Sequence, residues 1–181
     1  MNLPNKITIF RILMIPLFVL FMLNKEIPYG QYIAAGIFLV AALSDLLDGY
    51  IARKHNLITN FGKFMDPLAD KLLVSSALIC FVELKLVPTW IVIIIISREF
   101  IISGFRLIAS DKGIVIAAGI WGKIKTNVQM IMSVMLIINL DNIIINFLEQ
   151  VAIYSALVFT VISLVDYMYK NKSVLSEQKV K

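Results

Sequence analysis

A chain of 181 residues that is 60% hydrophobic and 16% charged, with a mean hydropathy of +0.88, is too apolar for an ordinary water-soluble domain. Its net charge of +5 comes from 17 Lys and Arg against 12 Asp and Glu, and in a bilayer protein the placement of those positive charges says more than their sum. One cysteine, Cys80, excludes an intramolecular disulfide, and the single histidine, His55, argues against zinc.

Six apolar stretches follow in chain order: about Ile7 to Leu23, Gln31 to Ile51, Phe64 to Leu84, Pro88 to Ser110, Trp121 to Leu140 and Ile143 to Tyr169. Each is long enough for a helix of about 20 residues, the length that crosses a hydrocarbon core. The expected fold is all-α: a polytopic membrane protein of six transmembrane helices forming a single catalytic domain over residues 1–170, with a polar cytoplasmic tail at 171–181. No extramembrane domain fits in the residues left over. Pro4 with Asn2 and Asn5 predicts a short N-terminal interfacial segment before the first span. That span ends in Phe21-Met22-Leu23-Asn24-Lys25, which is not a small-x-small cleavage site, so it reads as retained and not as a secretory signal.

Orientation comes from the positive residues. With the amino terminus inside, thirteen Lys or Arg fall at the cytoplasmic ends, and only Lys25 and Lys85 fall in outer loops. The positive-inside rule therefore predicts cytoplasmic termini. Trp90 and Trp121, near predicted span starts, read as interfacial anchors. Arg98 lies inside the fourth span. Its neighbour Glu99 projects about 100° away on a helix, so a side-by-side pair between them is not expected. Lys71 is expected to tether to another span or to the interface.

Asp45, Asp48, Asp66 and Asp70 lie within 26 positions, in or at the mouth of two spans. Four aspartates facing lipid would cost about 10 kcal/mol or more, so they are expected to face a polar interior. Asp45 and Asp48 project about 60° apart, with Gly49 and Ala52 on the same stripe. Asp66 and Asp70 lie about 40° apart, flanked by Gly62. A short link from Lys54 to Phe61 lets the two stripes face each other at one membrane side. Carboxylates so crowded need a cation, and oxygen-only donors select magnesium or manganese. Arg53, one turn beyond Gly49, is a candidate phosphate holder.

Written as Asp45-x2-Asp48-Gly49-x2-Ala52-Arg53-x8-Gly62-x3-Asp66-x3-Asp70, the stretch resembles the signature of the CDP-alcohol phosphatidyltransferase family at all eight of its defined positions. Three further patterns resemble the branch of that family whose acceptor is glycerol 3-phosphate. They are Asn2-Leu3-Pro4-Asn5-Lys6-Ile7-Thr8-x2-Arg11, then Ser97-Arg98-Glu99 with Ser103-Gly104-x-Arg106, and Gly122-Lys123-x-Lys125-Thr126-x2-Gln129. The resemblance implies transfer of a phosphatidyl group from CDP-diacylglycerol to glycerol 3-phosphate with release of CMP, as a step of phospholipid biosynthesis. It implies Asp45, Asp48 and Asp66 as ligands of two Mg2+ or Mn2+ ions, with Asp70 beside the metal as general base. It also implies CDP-diacylglycerol binding by Gly49, Arg53, Gly62 and Thr59, with Asn5 and Thr8 contributing. The chemistry alone does not separate Asp70 from Asp66 as the base; the resemblance does. The acceptor is an anion, and Arg106, Lys123 and Lys125 are the candidates for its phosphate.

The expected setting is a bacterial plasma membrane, with the site on the cytoplasmic face, membrane lipids as surroundings, a homodimer as the assembly and no nucleic-acid partner. Two alternatives compete. Another acceptor, such as inositol, inositol phosphate, serine or a phospholipid, would keep the donor chemistry. A divalent-cation transporter would also bury carboxylates, but would place them nearer the midplane with a polar ladder to the outside, for which Asp141 and Glu149 are too few.

Overall fold

The computed structural model describes residues 3–54, 60–111, 116 and 119–172, except that the side chains of residues 3, 4, 45–54, 60–64, 66 and 111 lie outside the description. The described residues are helical, with no strand among them. The helices are α1 (Leu3–Leu23), α2 (Gly30–Lys54), α3 (Asn60–Glu83), α4 (Thr89–Asp111), α5 (Ile120–Ile138) and α6 (Ile143–Lys170). Each coincides with one of the six apolar stretches to within a few residues. Among the described residues, and by length and composition alone, two helices are long and apolar enough to cross a membrane: α1 over Asn5–Leu23 and α6.

One expectation is corrected at the start of the chain. The interfacial lead-in is not a separate element, because α1 is continuous from Leu3. Pro4 sits in the first turn, where a missing N–H breaks no intrahelical bond. Asn5 and Thr8 are buried, at 7% and 0% exposure, and so face protein.

The chain falls into two compact units, Met1–Val87 with Ser133–Leu140, and Pro88–Met132 with Asp141–Lys181. In the first, α1 packs on both α2 and α3. Its buried stripe runs Asn5, Thr8, Arg11, Ile15, Phe18, Met22, at the three-and-four spacing of a helix seam. The stripe changes character midway, polar toward the N-terminus and apolar toward the other end. Phe18 meets Phe38 of α2 with ring centroids 5.8 Å apart. Fully buried Ala34, Ala41, Ala69 and Ala77 let the helices approach closely, as small residues at helix contacts do. Gly30 closes the turn from α1 into α2: a Cβ there would sit 2.8 Å from the carbonyl oxygen of Phe21, so only glycine fits.

The second unit pairs α4 with α6. Ile91, Ile95, Arg98, Ile102, Phe105 and Ala109 form the buried stripe of α4, and Glu149, Ile153, Ala156, Thr160, Ser163 and Tyr167 that of α6. Both repeat at three-and-four spacing, which keeps one face of each helix inward over several turns. Phe105 meets the Tyr167 ring edge-on at 6.0 Å, within a cluster with Ile102 and Ala109. Asn142 caps α6, its side-chain oxygen accepting from the Ile144 N–H at 2.9 Å.

Candidate functional site

The backbone places Asp45 and Asp48 in the C-terminal turns of α2 and Asp66 and Asp70 in the N-terminal turns of α3. Of these four, Asp70 alone has a described side chain, half-buried and partnered. The side chains of Asp45, Asp48, Gly49, Arg53, Gly62 and Asp66 lie outside the described residues, and Thr59 does so entirely. Pro67 is carried inside α3, where it removes one backbone donor. Lys71 folds back along its own helix and donates to the Pro67 carbonyl at 3.4 Å. This corrects its expected tether to another span: the carbonyl four residues back is the nearest acceptor for a flexible ammonium on a helix.

The best-defined polar contact beside the signature is made by Arg11. It is fully buried, and its Nε donates to the Ala41 carbonyl at 3.1 Å and to Ser44 Oγ at 3.3 Å. Ser44 Oγ in turn donates to the Ala41 carbonyl at 2.7 Å. Ser44 immediately precedes Asp45, so this knot ties α1 to the turn of α2 that starts the acidic stripe. Arg11 continues the line of Asn5 and Thr8 along α1. The same α1 face thus carries both expected CDP-diacylglycerol contacts and the clamp on α2. Sequence reading placed Arg11 only in the opening pattern and in the count of cytoplasmic charges. Its position one turn after Thr8, on the same face, was the available signal.

In the second unit the charged residues inside α4 and α5 find each other. Arg98, 8% exposed, donates from Nε to Ser163 Oγ of α6 at 3.1 Å and from Nη1 to Glu99 Oε1 at 3.1 Å. Lys125 of α5, 2% exposed, bonds the same Glu99 oxygen. The expectation that Arg98 and Glu99 would not pair is therefore corrected. Their Cβ atoms diverge, but Glu99 turns to meet the buried Lys125, and the long guanidinium reaches the same oxygen. A Cβ on Gly122 would lie 3.5 Å from Arg98 Nη2, so Arg98 passes over the start of the Gly122-Lys123-x-Lys125 pattern. Two cations thus share one carboxylate oxygen.

The three residues expected to hold the acceptor phosphate have different surroundings. Lys125 is enclosed in the Glu99 pair. Arg106 is exposed, its guanidinium 6.0 Å from the centre of the Tyr167 ring, and Lys123 is exposed. Trp90 is 52% exposed, as an interfacial anchor would be, whereas Trp121, at 39%, also stacks on Phe159 at 6.3 Å.

Comparison with known proteins adds a family and several named relatives. A family model described as CDP-alcohol phosphatidyltransferase matches residues 1–162. The chain is 48% identical to a protein of Bacillus subtilis (strain 168) named CDP-diacylglycerol--glycerol-3-phosphate 3-phosphatidyltransferase, over 94% of this chain and 95% of that one. It is 39% identical to a protein of the same name from Haemophilus influenzae, over 96% and 95% of the two chains. It is 35% identical to a probable phosphatidylglycerophosphate synthase of Mycobacterium tuberculosis, over 92% of this chain and 80% of that one.

Proposed function

Because the chain belongs to the CDP-alcohol phosphatidyltransferase family, we propose that it transfers the phosphatidyl group of CDP-diacylglycerol to glycerol 3-phosphate, giving phosphatidylglycerophosphate and CMP. The observation that carries this reading is the placement of all four signature aspartates on the adjoining ends of α2 and α3, in a chain that matches proteins named for this reaction along nearly its whole length.

We read all six helices as spans of one catalytic domain over residues 1–170. The thirteen-to-two distribution of positive residues supports a signature at the cytoplasmic face together with both termini. The donor then slides in laterally from the bilayer while the acceptor arrives from the cytoplasm. The donor set fits a hard divalent cation. Asp45, Asp48 and Asp66 would hold Mg2+ or Mn2+, with Asp70 beside them; no thiolate lies in the stretch, and its one imidazole, His55, falls at a position that the signature leaves undefined. When bound, such a metal supplies charge neutralisation for the diphosphate and for the departing CMP.

The remaining work falls to the chain's own groups. Asn5 and Thr8 on α1, with Gly49, Arg53, Thr59 and Gly62 around the helix link, bind the nucleotide diphosphate. The clamp of Arg11 on Ala41 and Ser44 fixes the α2 turn from which Asp45 and Asp48 project. Asp70 accepts the proton of the acceptor hydroxyl as its oxygen bonds to the phosphorus bearing diacylglycerol. The bond from that phosphorus to the CMP oxygen breaks, and CMP leaves with the electron pair. Arg106, Lys123 and Lys125 meet the acceptor's own phosphate, with Lys125 oriented by its bond to Glu99.

The test is CMP release by purified protein in detergent, supplied with CDP-diacylglycerol and a panel of alcohols. Turnover is expected with glycerol 3-phosphate, lost on chelation and restored by Mg2+ or Mn2+. Asp70→Asn should lose about 10²- to 10⁴-fold, the usual contribution of a general base. Wild-type turnover by that variant removes Asp70 from its role, and turnover with inositol or serine in place of glycerol 3-phosphate overturns the acceptor assignment.

A further inference from the structure

At the end of the first unit remote from the acidic signature, the C-terminal ends of α1 and α3 frame a groove of about 590 Å3, within the usual range of small-molecule sites. Leu23, Ile79 and Leu84 form part of its apolar wall, and Lys25, Lys85 and Glu83 stand at its polar end. From Asp70 to Glu83 along α3 is about 20 Å at 1.5 Å per residue, so the groove is separate from the phosphatidyl-transfer site.

Three observations set this groove apart from an ordinary helix crevice. First, of 17 Lys and Arg in the chain, only Lys25 and Lys85 fall in the segments joining α1 to α2, α3 to α4 and α5 to α6, and both line this one groove. Second, neither is in ion-pair contact with a carboxylate among the described residues. Glu83 offsets part of their charge and leaves the lining one unit positive. Third, Lys85 occupies a backbone position that favours glycine. The Leu86 N–H donates to the Phe81 carbonyl and the Lys85 N–H to the Val82 carbonyl, each at 2.9 Å, which is the Schellman closure of a helix. Lys85 is its left-handed residue, with φ 60°, a conformation that costs a side-chain-bearing residue free energy. The end of α3 thus accepts backbone strain while carrying an ammonium at the mouth of the groove.

We propose that this groove binds an anionic phospholipid of the leaflet opposite the active site, with its phosphodiester between Lys25 and Lys85 and an acyl chain along Leu23, Ile79 and Leu84. The proposal rests on the six-span topology given above, which places this end of α1 and α3 at the outer face. Ile79, 59% exposed on the side of α3, keeps the groove open to a lipid chain arriving from the bilayer. A zwitterionic headgroup would bring its own cation against two lysines, so the charge of the lining selects an anionic one.

The full chain is reconstituted in phosphatidylcholine nanodiscs containing a small fraction of phosphatidylglycerol or of phosphatidylcholine, each with a diazirine in one acyl chain. Photo-crosslinks are then mapped by mass spectrometry. Crosslinks to residues 19–25 and 76–86 are expected to be about fivefold more abundant with the anionic probe, equivalent to about 1 kcal/mol. They should fall to the zwitterionic level in the double variant Lys25→Gln with Lys85→Gly. Glycine suits the left-handed position, so that variant should keep its fold, checked by its unfolding temperature. Equal labelling by the two probes, unchanged labelling of the double variant, or absence of crosslinks in these segments would each overturn the proposal. Labelling of Lys25 and Lys85 on intact cells by a membrane-impermeant amine reagent tests the topology separately, and CMP release from the same nanodiscs tests the enzymatic reading.

Discussion

Replacing Arg11 by methionine isolates what the buried clamp does for the acidic stripe. The Arg11 Nε carries a single hydrogen, which it shares between the Ala41 carbonyl at 3.1 Å and Ser44 Oγ at 3.3 Å, so the pair counts as one charge-assisted bond of about 1.5–3 kcal/mol. Methionine has a similar reach and no charge. Ser44 Oγ still donates to the Ala41 carbonyl at 2.7 Å, so that acceptor is not orphaned by the change. Arg11 makes a further contact besides these, so Arg11→Met should lower stability by at least about 1.5–3 kcal/mol. Its effect on rate should be larger than its effect on folding. A misplacement of about 1 Å in groups that orient a reaction costs about 10²-fold, and the released turn of α2 leads directly into Asp45. Thermal unfolding in detergent and CMP release measured at saturating donor separate the two quantities. Ser44→Ala, which removes one acceptor and one donor from the same knot, should lose less of each. An Arg11→Met protein that is folded and turns over at the wild-type rate would refute the positioning argument.

Three further substitutions test other parts of the molecule. Lys125→Met removes one of the two cations on Glu99 and leaves its pair with Arg98, so the second unit should lose about 1.5–3 kcal/mol, the usual worth of a hydrogen bond between charged groups. Adding Glu99→Met takes the carboxylate from Arg98 as well and should cost a further increment, which thermal unfolding reads directly. Gly30→Ala pushes a Cβ to 2.8 Å from the Phe21 carbonyl oxygen and should cost about 1–3 kcal/mol by overpacking, visible as a lower unfolding temperature. Arg106→Ala with Lys123→Ala should raise KM for glycerol 3-phosphate while leaving KM for CDP-diacylglycerol and the unfolding temperature unchanged. An unchanged acceptor KM would remove both residues from the acceptor site.

The helix boundaries were legible because an apolar run of about 20 residues has a length and a composition that few polar residues can disguise. Six apolar stretches read from the chain fall on six helices, and the largest disagreements lie at helix ends, where polar residues such as Lys54 and Asn60 extend a helix beyond its apolar part. The acidic signature was legible for a related reason. Carboxylates in apolar surroundings are costly enough that helical spacing among Asp45, Asp48, Asp66 and Asp70 carries meaning without a structure. Family membership followed from the same residues, since the reaction fixes their types and offsets.

The lead-in at Asn5 and Thr8 was misplaced because polar residues near a terminus look alike whether they face headgroups or protein. Only packing against α2 and α3 distinguishes the two.

Partner choice among the remaining charges was decided by the fold alone. Lys125, a candidate for the acceptor phosphate, bonds Glu99, while Arg98 and Glu99 pair despite diverging from α4. Arg11, one positive residue among many in the sequence, clamps the turn before Asp45. A long ionic side chain can sweep several ångströms, so spacing along one helix limits where it starts and not where it ends. In a low-dielectric interior the end point is set by whichever opposite charge or carbonyl a neighbouring helix brings within reach, and that is a property of tertiary structure.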